Sequence, residues 1–275
     1  MSFPRQALLI LLGRVLAFIG IAAFFWAPMI FFYRARAALW GGLWWHRIDW
    51  LLVGVFFFMT AVCVFTIDLR KNTLIVLIAA LGGLCIEGWG TQTNIWYYYT
   101  KERPPLWIIP AWATSGLTID TLARMAAPHL FRFVPRRWFM AAAWPLFGTF
   151  LVLMISFVWH HLVYPTTIAA LAVVVFVIAS IFRKTCDVRT AVLIFILGTI
   201  LGWFLERWGT TRHCWIYYTR ETPPIFAVAA HGLASVAFWR THLVVDGVIR
   251  RLFPSYRGHW SSSLADVSRS GDKLQ

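Results

Sequence analysis

Two glutamates stand at matching places in the chain, and each opens the same aromatic pattern. Glu87 begins EGWGTQTNIWYYYTKERPP, and Glu206 begins ERWGTTRHCWIYYTRETPP, 119 residues later. Eleven of the nineteen positions are identical. Each glutamate comes at the end of an apolar run, where an ionisable group is costly unless it has a partner or a role. The repetition indicates a tandem duplication in which each half supplies one carboxyl group.

A pair of carboxyl groups in an apolar site could carry acid chemistry. If the two glutamates face each other, repulsion and low dielectric raise the pKa of at least one and leave it protonated at neutral pH. A protonated carboxyl group can act as a general acid. The structural alternative is a carboxylate in interfacial water, paired with a cation. Candidate cations are Arg207, which follows Glu206 directly, Lys101, Arg103, Arg212 and Arg220.

Tryptophan and tyrosine residues follow both glutamates. Aromatic faces stabilise positive charge, so such a site suits protonation of an electron-rich alkene and shelter of the resulting cation. The same rings would equally pack a rigid apolar ligand such as a polyene, and anchoring at the membrane interface is a third interpretation. The candidate catalytic residues are Glu87 and Glu206, and the candidate substrate-binding residues are Trp89, Thr93, Trp96, Tyr98, Tyr99, Trp112, Trp208, Trp215, Tyr217, Tyr218 and His231.

Other polar groups receive structural interpretations or none. The histidines at 160, 161, 213 and 231 could together bind haem or a metal ion, but they lack metal-binding spacings and the first half has no matching set, so no metal site is predicted. No phosphate-cradling loop or dinucleotide fingerprint occurs, and no cofactor is predicted. The pairs Asp68 with Arg70 and Asp187 with Arg189 are expected at helix caps, and Asp120 with Arg124 along one helix.

The composition indicates an integral membrane protein. Hydrophobic residues make up 60% of the chain and charged residues 13%, whereas a soluble domain carries about 25% charged residues. In a soluble chain, a net charge of +14 would suggest binding to nucleic acid. Here the basic residues lie between apolar segments, as expected of anchors on the cytoplasmic leaflet. The predicted partners are therefore the membrane and an apolar lipid or polyene, with no nucleic acid.

Eight apolar segments are long enough to approach the roughly 20 residues that cross a bilayer core. They lie at about 11–33, 50–67, 73–90, 106–124, 138–159, 165–182, 190–208 and 225–246. Segment one shifted by 119 residues falls on segment five, so the repeat is four helices and both copies share one orientation. We predict an all-α integral membrane protein of eight transmembrane helices. It consists of two parallel four-helix repeats, 1–124 and 125–253, and a disordered cytoplasmic tail, 254–275.

The placement of Lys and Arg predicts the orientation. They concentrate at the N-terminus, in the connections after segments two, four and six, and in the tail, so both termini are expected in the cytoplasm. The two glutamates then lie towards the outer side of a cell inner (plasma) membrane. Segments 90–105 and 209–224 are predicted to form aromatic hairpins, either at headgroup level or as lids over a cavity between the halves.

One stretch resembles a known family. Glu87, Gly90 and Thr93, then the Tyr98–Thr100 step and a proline-containing run to Trp112, are similar to the core of membrane-embedded carotenoid hydratases, the "carotenoid biosynthesis protein" family. The second copy has Arg212 in place of the threonine and His231 in place of the tryptophan. The resemblance implies addition of water across the terminal double bond of an acyclic carotenoid.

Two functions remain open from the sequence. The first is a membrane enzyme acting on an isoprenoid or other long apolar lipid, with Glu87 or Glu206 as the proton donor; the resemblance implies a hydratase (a lyase). The second is a non-enzymatic carrier of lipid or pigment, or a subunit that binds another membrane protein.

Overall fold

The structure is a computed structural model that describes residues 9–20, 23, 50–66, 69–183 and 187–253. The predicted tail at 254–275 and most of the predicted first segment lie outside these residues. The described residues form eight α-helices and two short strands. They are α1 (Leu9–Gly20), α2 (Trp50–Thr66), α3 (Leu69–Gln92), β1 (Trp96–Tyr98), α4 (Ile109–Phe133), α5 (Arg136–Val158), α6 (Pro165–Ile181), α7 (Val188–Thr211), β2 (Trp215–Tyr217) and α8 (Ile225–Leu252).

Three stretches are long and apolar enough to cross a membrane: Asn72–Gln92, Arg136–His161 and Val188–Thr211. They correspond to α3, to α5 with the 3₁₀ turn that follows it, and to α7. An all-α protein with membrane-spanning helices is therefore supported. The predicted total of eight transmembrane helices exceeds what length and hydropathy alone establish for the described residues.

The chain divides into two packing units at residues 67 and 68. In the first unit, Phe18 of α1 packs edge-on against Phe57 of α2, with ring centroids 5.1 Å apart. The Arg14 guanidinium group donates a hydrogen bond to the Phe65 carbonyl group. The second unit contains α3 to α8 and both repeated motifs. The predicted division of the repeats at residue 124 stays a prediction.

Four helices of the second unit, α3, α4, α7 and α8, pack against one another. Small residues allow their backbones to approach closely. A Cβ atom built on Gly116 of α4 would lie 2.5 Å from the Ala79 Cβ atom of α3, and one built on Gly198 of α7 would lie 2.9 Å from the Gly232 Cα atom of α8. Such close crossings are typical of helix pairs in membranes. There the hydrophobic effect does not drive helices together, and small residues favour association by allowing close van der Waals packing.

Phenylalanine rings attach α5 to α7 and α8. The rings of Phe147 and Phe195 lie 5.2 Å apart and nearly perpendicular. Phe157 stacks on Phe226 at 4.4 Å. Aromatic pairs of this geometry contribute about 0.5–1.5 kcal/mol each beyond the area they bury. They therefore fix the C-terminal end of α5 beside the start of α8.

Helix α4 continues well beyond the predicted end at residue 124. Arg124 ends the apolar run in the sequence, but Ala123, Ala127 and Phe131 are buried at a spacing of four residues, which is the spacing of one helix face. The Arg189 guanidinium group lies 4.9 Å from the centroid of the Phe131 ring. The prediction ended the helix at the first charged residue of the apolar run. The helix continues because the residues on one of its faces remain buried.

The two strands pair with each other rather than forming two separate hairpins. β1 and β2 are antiparallel, with Trp96 opposite Tyr217, Tyr97 opposite Ile216 and Tyr98 opposite Trp215. Because the repeat offset is 119 residues, this register is symmetric about the central pair. The prediction of two hairpins was wrong in this respect. Each aromatic segment supplies one strand, and its partner comes from the other copy.

Candidate functional site

Helices α3 and α7 end in the same way, and this ending sets the direction of the strand that follows each helix. Asn94 and His213 both take positive φ values, 59° and 56°. The backbone N–H of Ile95 then donates to the Gly90 carbonyl group at 2.9 Å, and that of Cys214 donates to Gly209 at 2.8 Å. These are the bonds of a Schellman ending, which satisfies carbonyl groups left free at a helix C-terminus. The chain therefore reverses direction directly after each helix.

The reversal lays a tryptophan ring across a glycine in each copy. A Cβ atom on Gly90 would lie 1.9 Å from the Trp96 ring, and one on Gly209 would lie 2.0 Å from the Trp215 ring. No larger residue leaves room for the indole in this position. The glycine thus brings the indole N–H within reach of the glutamate one turn earlier on the same helix.

Glu87 accepts three hydrogen bonds from aromatic side chains. Its Oε2 atom accepts from Trp96 Nε1 at 3.1 Å and from the Tyr98 hydroxyl group at 2.9 Å. Its Oε1 atom accepts from Trp112 Nε1 of α4 at 2.8 Å. Glu87 is only 4% exposed. We call these four residues the Glu87 site.

Glu206 has the equivalent set, with one change. Its Oε2 atom accepts from Trp215 Nε1 at 2.9 Å, and its Oε1 atom accepts from the Tyr217 hydroxyl group at 2.9 Å. The third partner is His231 of α8, whose Nε2 atom lies 3.0 Å from Oε1. Glu206 is also 4% exposed. We call these four residues the Glu206 site.

The hydrogen-bond donors indicate which ionisation state of each carboxyl group the site accommodates. Indole N–H groups only donate, and an ionised carboxylate only accepts, so the arrangement satisfies an ionised carboxylate fully. Burial, with the negative charge of the neighbouring glutamates, raises the pKa of the Tyr98 and Tyr217 hydroxyl groups above the usual range. Both tyrosines therefore remain phenols and donors across the physiological range.

Neither carboxyl group is paired with Lys or Arg in the part of the chain that the structure describes. Arg207, the nearest candidate in sequence, is exposed and donates to the Thr222 carbonyl group at 3.3 Å. The interfacial ion pair considered from the sequence is thus not observed. A buried carboxyl group held by hydrogen bonds alone is the arrangement found instead.

Trp112 and His231, the third donors, stack on each other. Their ring centroids are 5.1 Å apart and their planes differ by 15°. Each fits against a glycine, because a Cβ atom on Gly83 would lie 2.3 Å from Trp112 and one on Gly202 would lie 2.5 Å from His231. The two sites therefore adjoin. Further ring contacts between the sites join Trp96 with Tyr217 and Tyr98 with Trp215, both at 5.8 Å.

Some predicted substrate-binding residues contact the donors of the site and not the carboxyl groups themselves. Trp89 packs edge-on against Trp96 at 5.9 Å and donates from Nε1 to the Thr167 hydroxyl group of α6 at 3.2 Å. Trp208 packs against Trp215 in the same way, also at 5.9 Å. The Thr93 hydroxyl group donates to the Trp89 carbonyl group at 2.7 Å, so it caps the helix.

Two other predicted residues do not join the carboxyl groups. The Tyr99 side chain is 68% exposed. The Tyr218 hydroxyl group donates to the Phe157 carbonyl group, and its ring lies 4.5 Å from that of His161. Only every second residue of a strand points to a given face, so Tyr98 and Tyr217 reach the glutamates while the tyrosines that follow them do not.

Three residues that shape the site were not predicted from the sequence: Thr167, Gly83 and Gly202. Gly83 and Gly202 are one repeat of 119 residues apart, and a glycine at both positions was a usable signal of close packing. Thr167 lies in a helix whose sequence showed no matching polar residue, so no signal identified it.

A recess of about 210 Å³ opens beside the paired strands β1 and β2, which we call the ladder. It is lined by Tyr97, Tyr98, Lys101, Glu102 and Arg103.

The remaining polar pairs lie away from these carboxyl groups. Arg124 pairs with Asp120 at 2.9 Å, and Arg189 pairs with Asp187 at 3.2 Å, as expected from the sequence. The side chains of Asp68 and Arg70 lie outside those described. Within the described residues, no three His, Cys, Asp or Glu side chains gather where a metal ion could bind.

The repeated motifs therefore converge on two adjacent buried carboxyl groups, each held by three ring donors. Comparison with protein-family models, curated proteins and solved structures finds no match for this chain.

Proposed function

We propose that this protein is a membrane enzyme that protonates an alkene in a long apolar lipid, an isoprenoid or polyene, and adds water to it. One observation carries the proposal: two buried carboxyl groups adjoin in a site walled by indole and phenol rings. The site supplies the proton, and ring faces stabilise the positive charge that follows.

The chemistry needs a proton, a sheltered cation and a water molecule. Protonation of one alkene carbon leaves the other as a carbocation, and a water oxygen then bonds to that carbon and loses a proton. Burial supports this sequence because charges interact more strongly where bulk water is excluded. The recess beside the ladder reaches the Tyr98 ring, and we propose it as the route by which water approaches.

The apolar surroundings favour an apolar substrate. Three helices that are long and apolar enough to cross a membrane support a location in a membrane, where a long hydrocarbon is concentrated. The resemblance of residues 87–112 to carotenoid hydratases adds an acyclic carotenoid as the first substrate to try. We further propose eight membrane spans in the inner membrane and both termini in the cytoplasm, with no cofactor.

Production in a bacterial strain that makes an acyclic carotenoid tests the proposal. Mass spectrometry of the extracted pigments should show a product heavier by one water molecule. Conversion should fall by about two orders of magnitude or more in Glu87→Gln, in Glu206→Gln or in both, the usual contribution of a general acid. Glu221→Gln is the matched control, because Glu221 is exposed. Full activity in both site variants would exclude acid catalysis by this pair.

A second candidate function has its own support. Both oxygens of each carboxyl group are already bonded to protein donors, as expected of a clasp that only joins the two copies. The protein would then be a carrier of lipid or pigment, or a subunit of a membrane complex. Purification distinguishes these cases: bound pigment without conversion indicates a carrier, and a second protein in fixed ratio indicates a subunit.

A further inference from the structure

The two acid sites differ at one donor, and the difference is chemical. Five of the six donors are indoles and phenols, which keep their protons near neutral pH. The sixth is His231, whose imidazole ring has two nitrogens, so one can donate to Glu206 while the other exchanges a proton with a second molecule. Among the six donors, this chemistry belongs to His231 alone.

The geometry of His231 is that of an acid–base pair. Its Nε2 atom faces Glu206 Oε1 at 3.0 Å, and a hydrogen bond to an ionised carboxylate requires a proton on that nitrogen. The side chain keeps 17% of its surface exposed, against 5% for Glu206. An orienting carboxylate on one ring nitrogen leaves the other, Nδ1, to exchange a proton with a substrate.

Trp112 connects this pair to the Glu87 site. Its ring stacks on the imidazole ring at 5.1 Å, and an aromatic face stabilises a cation placed over it. Its Nε1–H group donates to Glu87 at 2.8 Å, and hydrogen-bonded chains polarise one another. A carboxylate at Glu87 thus strengthens the support that the indole gives to a protonated imidazole.

The other neighbours of His231 bring no positive charge. Tyr217 shares the same carboxylate oxygen. Gly202 of α7 lies against the ring, and the Ser235 hydroxyl group donates to the His231 carbonyl group at 2.7 Å. Among the described contacts of the ring, the charged groups are thus Glu206 directly and Glu87 through Trp112.

We propose that the His231–Glu206 pair is the proton donor of the site, and that Glu87 acts as a fixed carboxylate that stabilises positive charge. This inference rests on the proposed function. The imidazolium ring gives its Nδ1 proton to one alkene carbon, and the π electron pair forms the new C–H bond. Water bonds to the cationic carbon, and the proton it loses returns to Nδ1. The sum is one water molecule added across one double bond, with His231 restored.

The chain supplies its own test variant, His231→Trp, which copies Trp112. An indole at this position can still donate to Glu206, as Trp112 does to Glu87, so the fold should be kept. Conversion of the acyclic carotenoid should fall about 100-fold or more in His231→Trp. It should fall by a smaller factor in Glu87→Gln. His160→Trp is the matched control, since His160 is exposed.

A spectroscopic measurement tests whether the hydrogen bond between His231 and Glu206 forms in the protein. In histidine-labelled protein, the Nε2 signal of His231 is the one that His231→Trp removes. That signal should show a hydrogen-bonded N–H in the wild type, change in Glu206→Gln and stay nearly unchanged in Glu87→Gln. If His231→Trp does not fold, His231→Gln replaces it, because an amide can also donate to Glu206.

The outcomes distinguish the two proposals. Conversion by the wild type with full activity in a folded His231→Trp variant overturns the inference and leaves the proposed function standing. An Nε2 signal of His231 that is unchanged in Glu206→Gln also overturns the inference. No conversion by the wild type overturns the proposed function and, with it, the role of His231 as donor.

Discussion

The Glu87 and Glu206 sites are two copies of one hydrogen-bond frame. In both, the donors follow the glutamate by 9, 11 and 25 residues, and the first two lie on the strands. The donors on the ladder are the same in both copies, Trp and Tyr. The donor on the following helix differs, Trp112 in one and His231 in the other. Paired strands leave little freedom for change, whereas a helix side chain against a glycine can be exchanged.

The largest effect should come from filling the space under an indole. Gly90→Ala places a Cβ atom where the Trp96 ring lies, so the ring must move and its bond to Glu87 is lost. Overpacking costs about 1–3 kcal/mol, and a buried group without its partner costs about 1–3 kcal/mol more. We expect the free energy of unfolding in detergent to fall by about 3 kcal/mol, and by a similar amount in Gly209→Ala.

Gly88→Ala is the control for this prediction, because a Cβ atom there meets nothing within 4 Å. Alanine is favoured over glycine inside a helix by about 0.5–1 kcal/mol, so this variant should be at least as stable as the wild type. Equal stability of Gly88→Ala and Gly90→Ala would contradict the placement of the indole.

The next effect separates the two copies. In Glu87→Gln the new amide N–H₂ group meets Trp96, Tyr98 or Trp112, and the indoles cannot accept. In Glu206→Gln it can donate to His231 Nε2, because a neutral imidazole can carry its proton on the other nitrogen. Glu87→Gln should therefore be less stable than Glu206→Gln by about 1–3 kcal/mol, the cost of an unsatisfied buried group. Thermal unfolding of both variants measures this, and equal losses would show that the third donor does not matter.

A symmetric effect of similar size is expected from the tyrosines. Tyr98→Phe and Tyr217→Phe each remove one hydrogen bond to a charged group, worth about 1.5–3 kcal/mol at most. The raised pKa of both tyrosines adds a dependence on pH. The unfolded chain ionises its tyrosines near pH 10, roughly, while the folded chain holds these two as phenols. Stability is therefore full below that pH and falls as the pH rises above it.

Denaturation at neutral and at alkaline pH measures this dependence. Each Tyr→Phe variant should show a shallower alkaline loss than the wild type. Tyr99→Phe, a change on a ring that is 68% exposed, should keep the wild-type slope. The same slope in all three variants would mean that the buried phenols do not resist ionisation.

The smallest effect should come from exchanging another position at which the copies differ. Thr93 is 1% exposed, whereas its counterpart, Arg212, is exposed and donates to the Thr211 hydroxyl group at 2.7 Å. Arg212→Thr should change the free energy of unfolding by no more than about 0.5 kcal/mol, as usual at the surface. The reverse exchange, Thr93→Arg, buries an unpaired charge and should be much worse. Equal effects would contradict the difference in burial.

The sequence predicted much of this arrangement and missed its pairing. The repeat offset singled out both glutamates and the strand residues that donate to them, because residue types repeated at one spacing are visible without coordinates. Their catalytic and substrate-binding roles stay predictions. The strand pairing was not predictable from three residues, since Trp-Tyr-Tyr fits a headgroup-level turn equally well. The role of Trp112 and His231 as matching donors was also hidden, because a helix 25 residues away had to be placed against a glycine first.

The register of the ladder has a consequence for what the first strand could pair with. Trp96 lies opposite Tyr217, the counterpart of Tyr98, so the first strand would find the same partners in a second copy of itself. A surface that matches itself in this way joins two identical subunits around a dyad. The register of β1 and β2 is therefore the one that two identical subunits joined around a dyad would have.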